Sequence, residues 1–328
     1  FAGGQEMEGA ETQTPLVCPG HTRGVVQVSF SHPTPDGVFL ISACLDGKPM
    51  LRRGDTGDWV GTFEGHKGAV WSARLDRPAL RAATGSADFS ARLWDALTGD
   101  QLHDFNCGHV VKSVDFSPDS HQLLCSGKFK KLKVFDLEKL APVAELEGHT
   151  VGVKSALFLP CGTKAISGGE DKTLRVWDLK SNTQIKTVEV QKEITSMQLS
   201  YDGEIVTVTA GTQVHFWGTK ELDMIKSLDC PIVNPTLGGS AKVKDITSAS
   251  LSPDRRRFIA GGPADQAWPD PWVHVFNFEN GEEIECNKGH HGHVWDVAFA
   301  PDGETYASGA DDGTIRIWTT EPGKHDDS

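Results

Sequence analysis

The stretch GGEDKTLRVWD, residues 168–178, returns with few changes as SADFSARLWD at residues 86–95 and as GADDGTIRIW at residues 309–318. A Gly-His pair precedes each copy, with the histidine 28 residues ahead of the tryptophan: Gly65-His66 before Trp94, Gly148-His149 before Trp177, Gly289-His290 before Trp318. Between these landmarks apolar and polar residues alternate in short runs, the pattern of β-strands. Self-similarity at a period of roughly 40–45 residues marks a four-stranded propeller blade. One blade cannot bury both of its faces, so the copies must stack radially around an axis. The fold class is therefore all-β.

Counting between histidines gives the number of blades. His21 lies 45 residues before His66, His66 lies 83 before His149, and His149 lies 141 before His290. Those gaps hold one repeat, two repeats, and three repeats with an insertion. The degenerate blades are residues 111–135, 194–217 and 246–276. Seven blades then fill residues 14–320 at close to 44 residues each, predicting a seven-bladed WD-repeat propeller. Recurrent turns join the first two strands of each blade, as at Ser117-Pro118-Asp119, Ser252-Pro253-Asp254 and Ala300-Pro301-Asp302-Gly303. Residues 14–18 precede Gly20-His21, where other repeats carry their outermost strand, while Trp318 lies in the third strand of the last blade. Residues 15–18 are thus expected to supply the fourth strand of blade seven and remove a sheet edge. Residues 1–13 and 321–328 read as disordered tails, and Phe1 to Gln5 as a cloning remnant ahead of a start near Met7.

Buried polar groups need partners, and the repeat pattern supplies them: a loop histidine, a turn aspartate, a second-strand hydroxyl and a third-strand tryptophan. Blade two offers His66, Thr84, Asp88 and Trp94; blade four His149, Ser167, Asp171 and Trp177; blade seven His290, Ser308, Asp312 and Trp318. Blade one keeps His21, Ser42 and Asp46 but has Arg52 where the tryptophan belongs. Blade three has Cys125 and Phe129 at the hydroxyl and aspartate positions, and His109 sits two residues too close to the next strand. Blades five and six are expected to lack the set. A serine, histidine and aspartate that recur in several blades are structural, since a catalytic site occurs once, and no catalytic residue is assigned.

The chain of 328 residues carries a net charge of −13, of which −8 belongs to residues 14–318. An acidic body disfavours broad phosphate binding. Seven scattered cysteines without paired short spacing fit a reducing compartment. No apolar run is long enough to cross a membrane as a helix, no signal peptide is evident, and no phosphate-cradling glycine loop or cofactor motif is present. Residues 289–293, GHHGH, are read without a metal because His290 is committed to its blade and His291 and His293 occupy an exposed loop. Lys128, Lys130, Lys131 and Lys133 form the one basic cluster, read as a solvated strand and turn. Arg255, Arg256 and Arg257 are likewise read as a solvated face.

Partner-binding candidates lie on the narrow face. Five residues after each loop histidine or its equivalent stand Val26, Trp71, Lys112, Lys154, Thr195, Thr247 and Trp295. Ring closure makes blades seven, one and two neighbours, so Trp295, Val26 and Trp71 are expected to form an apolar arc of exposed side chains, the usual anchors of a protein interface. A second candidate is the proline-rich insertion GGPADQAWPDPW at residues 261–272, with Trp268 and Trp272.

One stretch is more specific. Residues 41–71, ISACLDGKPMLRRGDTGDWVGTFEGHKGAVW, resemble the serine-threonine kinase receptor-associated protein family, also called the Unr-interacting protein, above all in Asp46 to Arg52 and Gly54 to Trp59. Residues 109–116, 202–206 and 299–318 add to the likeness. Residues 268–272, Phe129 and the short acidic tail depart from it. The resemblance implies a non-catalytic scaffold in the survival-of-motor-neuron complex, which loads Sm proteins onto spliceosomal small nuclear RNAs. It further implies gemin-like or Sm-like protein partners, an RNA-binding protein partner, receptor signalling in animals, and a place in cytoplasm and nucleus, with nucleic acid met indirectly and no small-molecule substrate. The alternative family is subunit i of translation initiation factor 3, a propeller of the same size. An alternative of another class is direct RNA binding through Lys112, Lys128, Lys130, Lys131 and Lys154 of blades three and four.

Overall fold

A computed structural model describes residues 13–230, 232–233, 243–264 and 272–320. Among these residues lie seven four-stranded antiparallel sheets, arranged as the blades of a propeller. One two-stranded hairpin, Ile232–Val233 with Val243–Lys244, falls between blades five and six and was not anticipated. Blade two shows the common plan, from axis to rim: Val70–Leu75, Arg81–Ser86, Ser90–Asp95 and Gln101–Asn106. Its second strand is almost wholly buried, because a neighbouring blade covers each face, whereas its fourth strand is mostly exposed. Large side chains fill the seams between blades. Trp94, Phe63, Ile41 and Leu51 join blade two to blade one, and Trp177, Leu132, Leu146 and Phe158 join blade four to blade three.

Blade seven closes the ring. Its order is Leu16–Cys18, then Ile315–Thr319, Thr305–Ala310 and Val294–Phe299. Leu16 pairs with Ile317 and Cys18 with Ile315. Cys18 is buried with Ile315, Ile317, Val25 and Leu40, and Gln13 Nε2 donates to Thr319 O at 2.6 Å. The first described residues therefore act as the predicted strap.

The turns between first and second strands place the residue after Pro-Asp in the left-handed region: Ser120 at φ 61°, Arg255 at 57° and Gly303 at 73°. Only glycine does so without steric cost. Arg255 is held there by ion pairs to Asp202 and Glu204 of blade five, and Arg257 Nη1 donates to Thr320 O at 2.8 Å. The expected solvated arginine face is thus an inter-blade clamp, with Arg256 alone left in solvent.

Around the axis, polar side chains of one first strand accept backbone N–H groups of the next. Gln27 Oε1 accepts from Ala73 at 2.7 Å, Ser72 Oγ from Val114 at 3.1 Å, Ser113 Oγ from Ala156 at 3.3 Å and Asp296 Oδ2 from Val28 at 3.0 Å. Asp115 Oδ2 does the same for Phe158 at 2.7 Å. Burial pushes the Asp115 and Asp296 carboxyls up to about 6, against the pull of nearby Arg74. Beyond the far ends of the first strands, His32 Nδ1 meets Tyr201 Oη at 3.2 Å, a contact from blade one to blade five across the axis.

Candidate functional site

The repeated polar sets have closely similar geometry. In blade two His66 Nδ1 lies 2.8 Å from Asp88 Oδ2, His66 Nε2 lies 2.6 Å from Thr84 Oγ1, and Trp94 Nε1 donates to Thr84 Oγ1 at 2.8 Å. Blade four repeats this with His149, Asp171, Ser167 and Trp177 at 2.8, 2.7 and 2.8 Å. Blade seven does so with His290, Asp312, Ser308 and Trp318 at 3.0, 2.7 and 2.8 Å. Burial lowers the pKa of His66, His149 and His290, so each ring is neutral at pH 7. Its single proton faces the carboxylate from Nδ1, and Nε2 accepts the hydroxyl proton. Burial pushes the carboxyls of Asp88, Asp171 and Asp312 up, but hydrogen bonds from Ser90, Thr173 and the three histidines outweigh it and hold them below the usual range. Ser42, Thr84, Ser167 and Ser308 are each fully buried, so no substrate can reach these hydroxyls.

Blade one makes the set with His21, Asp46 and Ser42 at 3.0 and 2.8 Å. Arg52, buried in place of tryptophan, donates to the carbonyls of Gly57, at 3.0 Å, and Pro19. Blade three aligns on blade two at a constant offset of 41 residues, which puts Cys107 at the histidine position, Cys125 at the hydroxyl and Phe135 at the tryptophan. Both thiols are buried in the seam, where Cys107 Sγ donates to Phe105 O at 3.6 Å. Blade five keeps the tryptophan, a correction to the expectation that it lacks the set. Trp217 pairs with Val206 as Trp94 pairs with Ala82, but Val208 stands at the hydroxyl position and Trp217 Nε1 has no hydrogen-bond partner.

At the mouth of the central channel, Val26, Trp71, Lys112, Lys154, Thr195, Thr247 and Trp295 line a single recess of about 440 Å³. The structure brings all seven rim positions together, yet the arc is neither fully exposed nor purely apolar. Val26 is buried, while Trp71 and Trp295 are half-buried and pack against the blade one–two seam. Their rings meet edge to face at 6.3 Å. Trp295 Nε1 donates to Asp311 Oδ1 at 2.7 Å, and His293 stacks on Trp295 at 4.0 Å instead of lying in an exposed loop. Lys112 Nζ lies 2.8 Å from the centre of the Trp71 ring. Burial, then the neighbouring Lys128 and Lys154, push the Lys112 amine down to about 7. The floor is polar: Gln198 Nε2 donates to Val297 O at 2.6 Å and to Asp296 Oδ1 at 3.2 Å.

The second candidate is only partly visible. Trp268 lies outside the described residues. Trp272 is half-buried against the blade five–six core, with Lys288 Nζ 4.4 Å from its ring. The basic cluster of blade three is matched by acids on the adjoining strand and blade. Lys131 meets Glu145 at 3.0 Å and Glu147 at 2.6 Å, Lys133 meets Glu145 at 3.5 Å, and Lys128 pairs with Glu170.

The WD domain, G-beta repeat family model matches residues 57–95, 99–136, 140–178 and 281–319. The human serine-threonine kinase receptor-associated protein is 47% identical over 317 residues, covering 96% of this chain and 85% of the relative. The chicken (Gallus gallus) protein of that name is 46% identical over 318 residues with the same coverage, and the Dictyostelium discoideum one 44% identical over 306, covering 93% and 98%. The chain belongs to the serine-threonine kinase receptor-associated protein family. Similarity to the eukaryotic translation initiation factor 3 subunit I of Bombyx mori is lower, 30% over 327 residues, with 92% and 94% covered. As a WD-repeat member of the serine-threonine kinase receptor-associated protein family, the propeller presents surfaces for protein partners. Among the described residues two sets of donor atoms each lie within 4.8 Å of one another, one of His21, Cys44 and Asp46 and the other of His274, Glu283 and Cys286. The first belongs to the polar set of blade one. In the second, His274 Nδ1 meets Glu283 Oε1 at 2.9 Å and burial pushes the Cys286 thiol up to about 12.

Proposed function

We infer that this propeller is a non-catalytic protein-interaction scaffold. It acts in assembly of spliceosomal small nuclear ribonucleoproteins, as a subunit like the Unr-interacting protein of the survival-of-motor-neuron complex, in cytoplasm and nucleus. The observation that carries the scaffold reading is the pairing of Trp71 and Trp295 at the channel mouth, two large half-buried aromatics that remain accessible on one rim. Family membership supports the assembly role, with gemin-like and Sm-like subunits as partners. The fully buried hydroxyls of the polar sets support a structural use for these recurrent hydroxyl-His-Asp groups. Affinity purification of the tagged chain from its native cells should recover Sm or gemin-like subunits; recovery of initiation-factor subunits instead would replace this reading with the factor 3 one. In the same assay Trp71→Ala with Trp295→Ala should abolish capture while leaving the β-sheet circular dichroism unchanged, and retained capture would remove the rim from the interface.

A further inference from the structure

The recess at the channel mouth has a charge pattern opposite to that of the chain. The protein carries −13 overall, yet the recess is lined by Arg74, Lys112, Lys128 and Lys154 against Glu170 and Asp296. Most of these charges are already engaged. Lys128 pairs with Glu170, and Lys154 Nζ with Glu193 Oε2 at 3.0 Å. Arg74 Nη1 donates to Ser29 Oγ at 2.8 Å and lies near Asp115. Asp296 is taken up by Val28, Ser248 and Gln198. Among the described residues Lys112 forms no ion pair, and its ammonium rests on the Trp71 face. A half-buried cation that makes no ion pair, beside two indoles and at the mouth of an open recess, is an incomplete interaction.

We propose that this recess is a socket for an acidic side chain of a partner protein. A glutamate or aspartate carboxylate enters from the rim, pairs with Lys112 Nζ, and lays its stem against Trp71 and Trp295. The proposal deepens the scaffold reading and rests on it. Two features select a peptide carboxylate over a nucleic-acid backbone. The recess, about 440 Å³, has room for one or two side chains. The lysines that would lead a polyanion away from it, Lys131 and Lys133, are matched by Glu145 and Glu147, so no basic track follows.

The pairing requires protonated Lys112. The groups facing it are Lys128, Lys154 and Glu170 from blades three and four, with Arg74, Asp296 and His293 lining the rest of the recess. The amine is charged below neutral pH, so binding should be strong there and fade as the solution becomes alkaline. Asp296, its carboxyl pushed up to about 6 by burial, would repel an anion once ionised, and removing Lys112 separates the two.

The test uses the full chain and fluorescein-labelled hexaglutamate, read by anisotropy at low ionic strength. Binding is expected, weaker by about tenfold or more in Lys112→Met, unchanged in Lys130→Met, and lost by a similar factor between about pH 6 and about pH 8.5. Equal affinity for wild type and Lys112→Met, or no binding, overturns the socket. Tighter binding of an oligouridylate than of hexaglutamate overturns it in favour of RNA. On wild-type protein, independent of how the variant folds, hexaglutamate should protect Lys112 from acetylation, and an unprotected Lys112 refutes the pairing. Because hexaglutamate is read directly on the purified chain, its failure counts against the socket, whereas failed partner capture counts against the scaffold.

Discussion

In blade seven Ser308 Oγ stands between His290 Nε2 and Trp318 Nε1, and the outer strand is borrowed from the other end of the chain. In blade five the chain runs through all four strands without help, and the position of that hydroxyl is Val208. Trp217 is buried there with its N–H unpartnered, among Leu159, Ile166, Leu174, Val206 and Met197. Both blades fill the same wedge of the ring. Blade seven does so with a hydrogen-bonded chain that fixes its loop, blade five with apolar contact that leaves one donor unmatched. The difference teaches that a seam needs volume first, and that the polar set adds geometry: it ties the loop before the first strand to the turn after the second.

Blade seven should therefore be sensitive in ways that blade five is not. The largest effect is expected from deleting residues 14–18. This uncovers Ile315 and Ile317, removes the burial of Cys18 and opens a sheet edge, costing roughly 4 kcal/mol and lowering the melting temperature by about 6 °C. An unchanged melting curve would show that the strap is dispensable. Next comes Ser308→Ala, which orphans the Trp318 N–H and the His290 ring in a fully buried site. It should cost about 2–4 kcal/mol in urea unfolding, and a loss below about 0.5 kcal/mol would erase the distinction between the blades. The smallest effect is Val208→Thr in blade five. The new oxygen accepts from Trp217 Nε1, but Val190 stands where a histidine would take the hydroxyl proton. Gain and cost nearly cancel, so stability should move by less than about 1 kcal/mol. A large gain would mean that blade five is a damaged copy of the polar design and not a separate solution.

Much of this was legible in the chain. The 28-residue interval from histidine to tryptophan placed the polar sets of blades two, four and seven, and the position of residues 14–18 before His21 gave the strap. In blade three the 41-residue offset that puts Cys125 and Phe129 in the hydroxyl and aspartate slots also puts Cys107, two residues before His109, in the histidine slot. The arginine clamp at Arg255 joins blades five and six across loops, and His293 on Trp295 depends on how one loop folds back; neither leaves a periodic trace.

The repeat pattern alone set the number of blades, the order of their strands and the polar sets of blades one, two, four and seven. Those features repeat, and a repeat records the local contacts that every copy must satisfy. Only the tertiary structure decided that Lys112 lies on Trp71, that the seven rim positions enclose one recess, and that Gln198 reaches Asp296. The first of these contacts joins neighbouring blades, while the recess and the Gln198–Asp296 bond bring together blades that are not neighbours and exist only once the ring has closed.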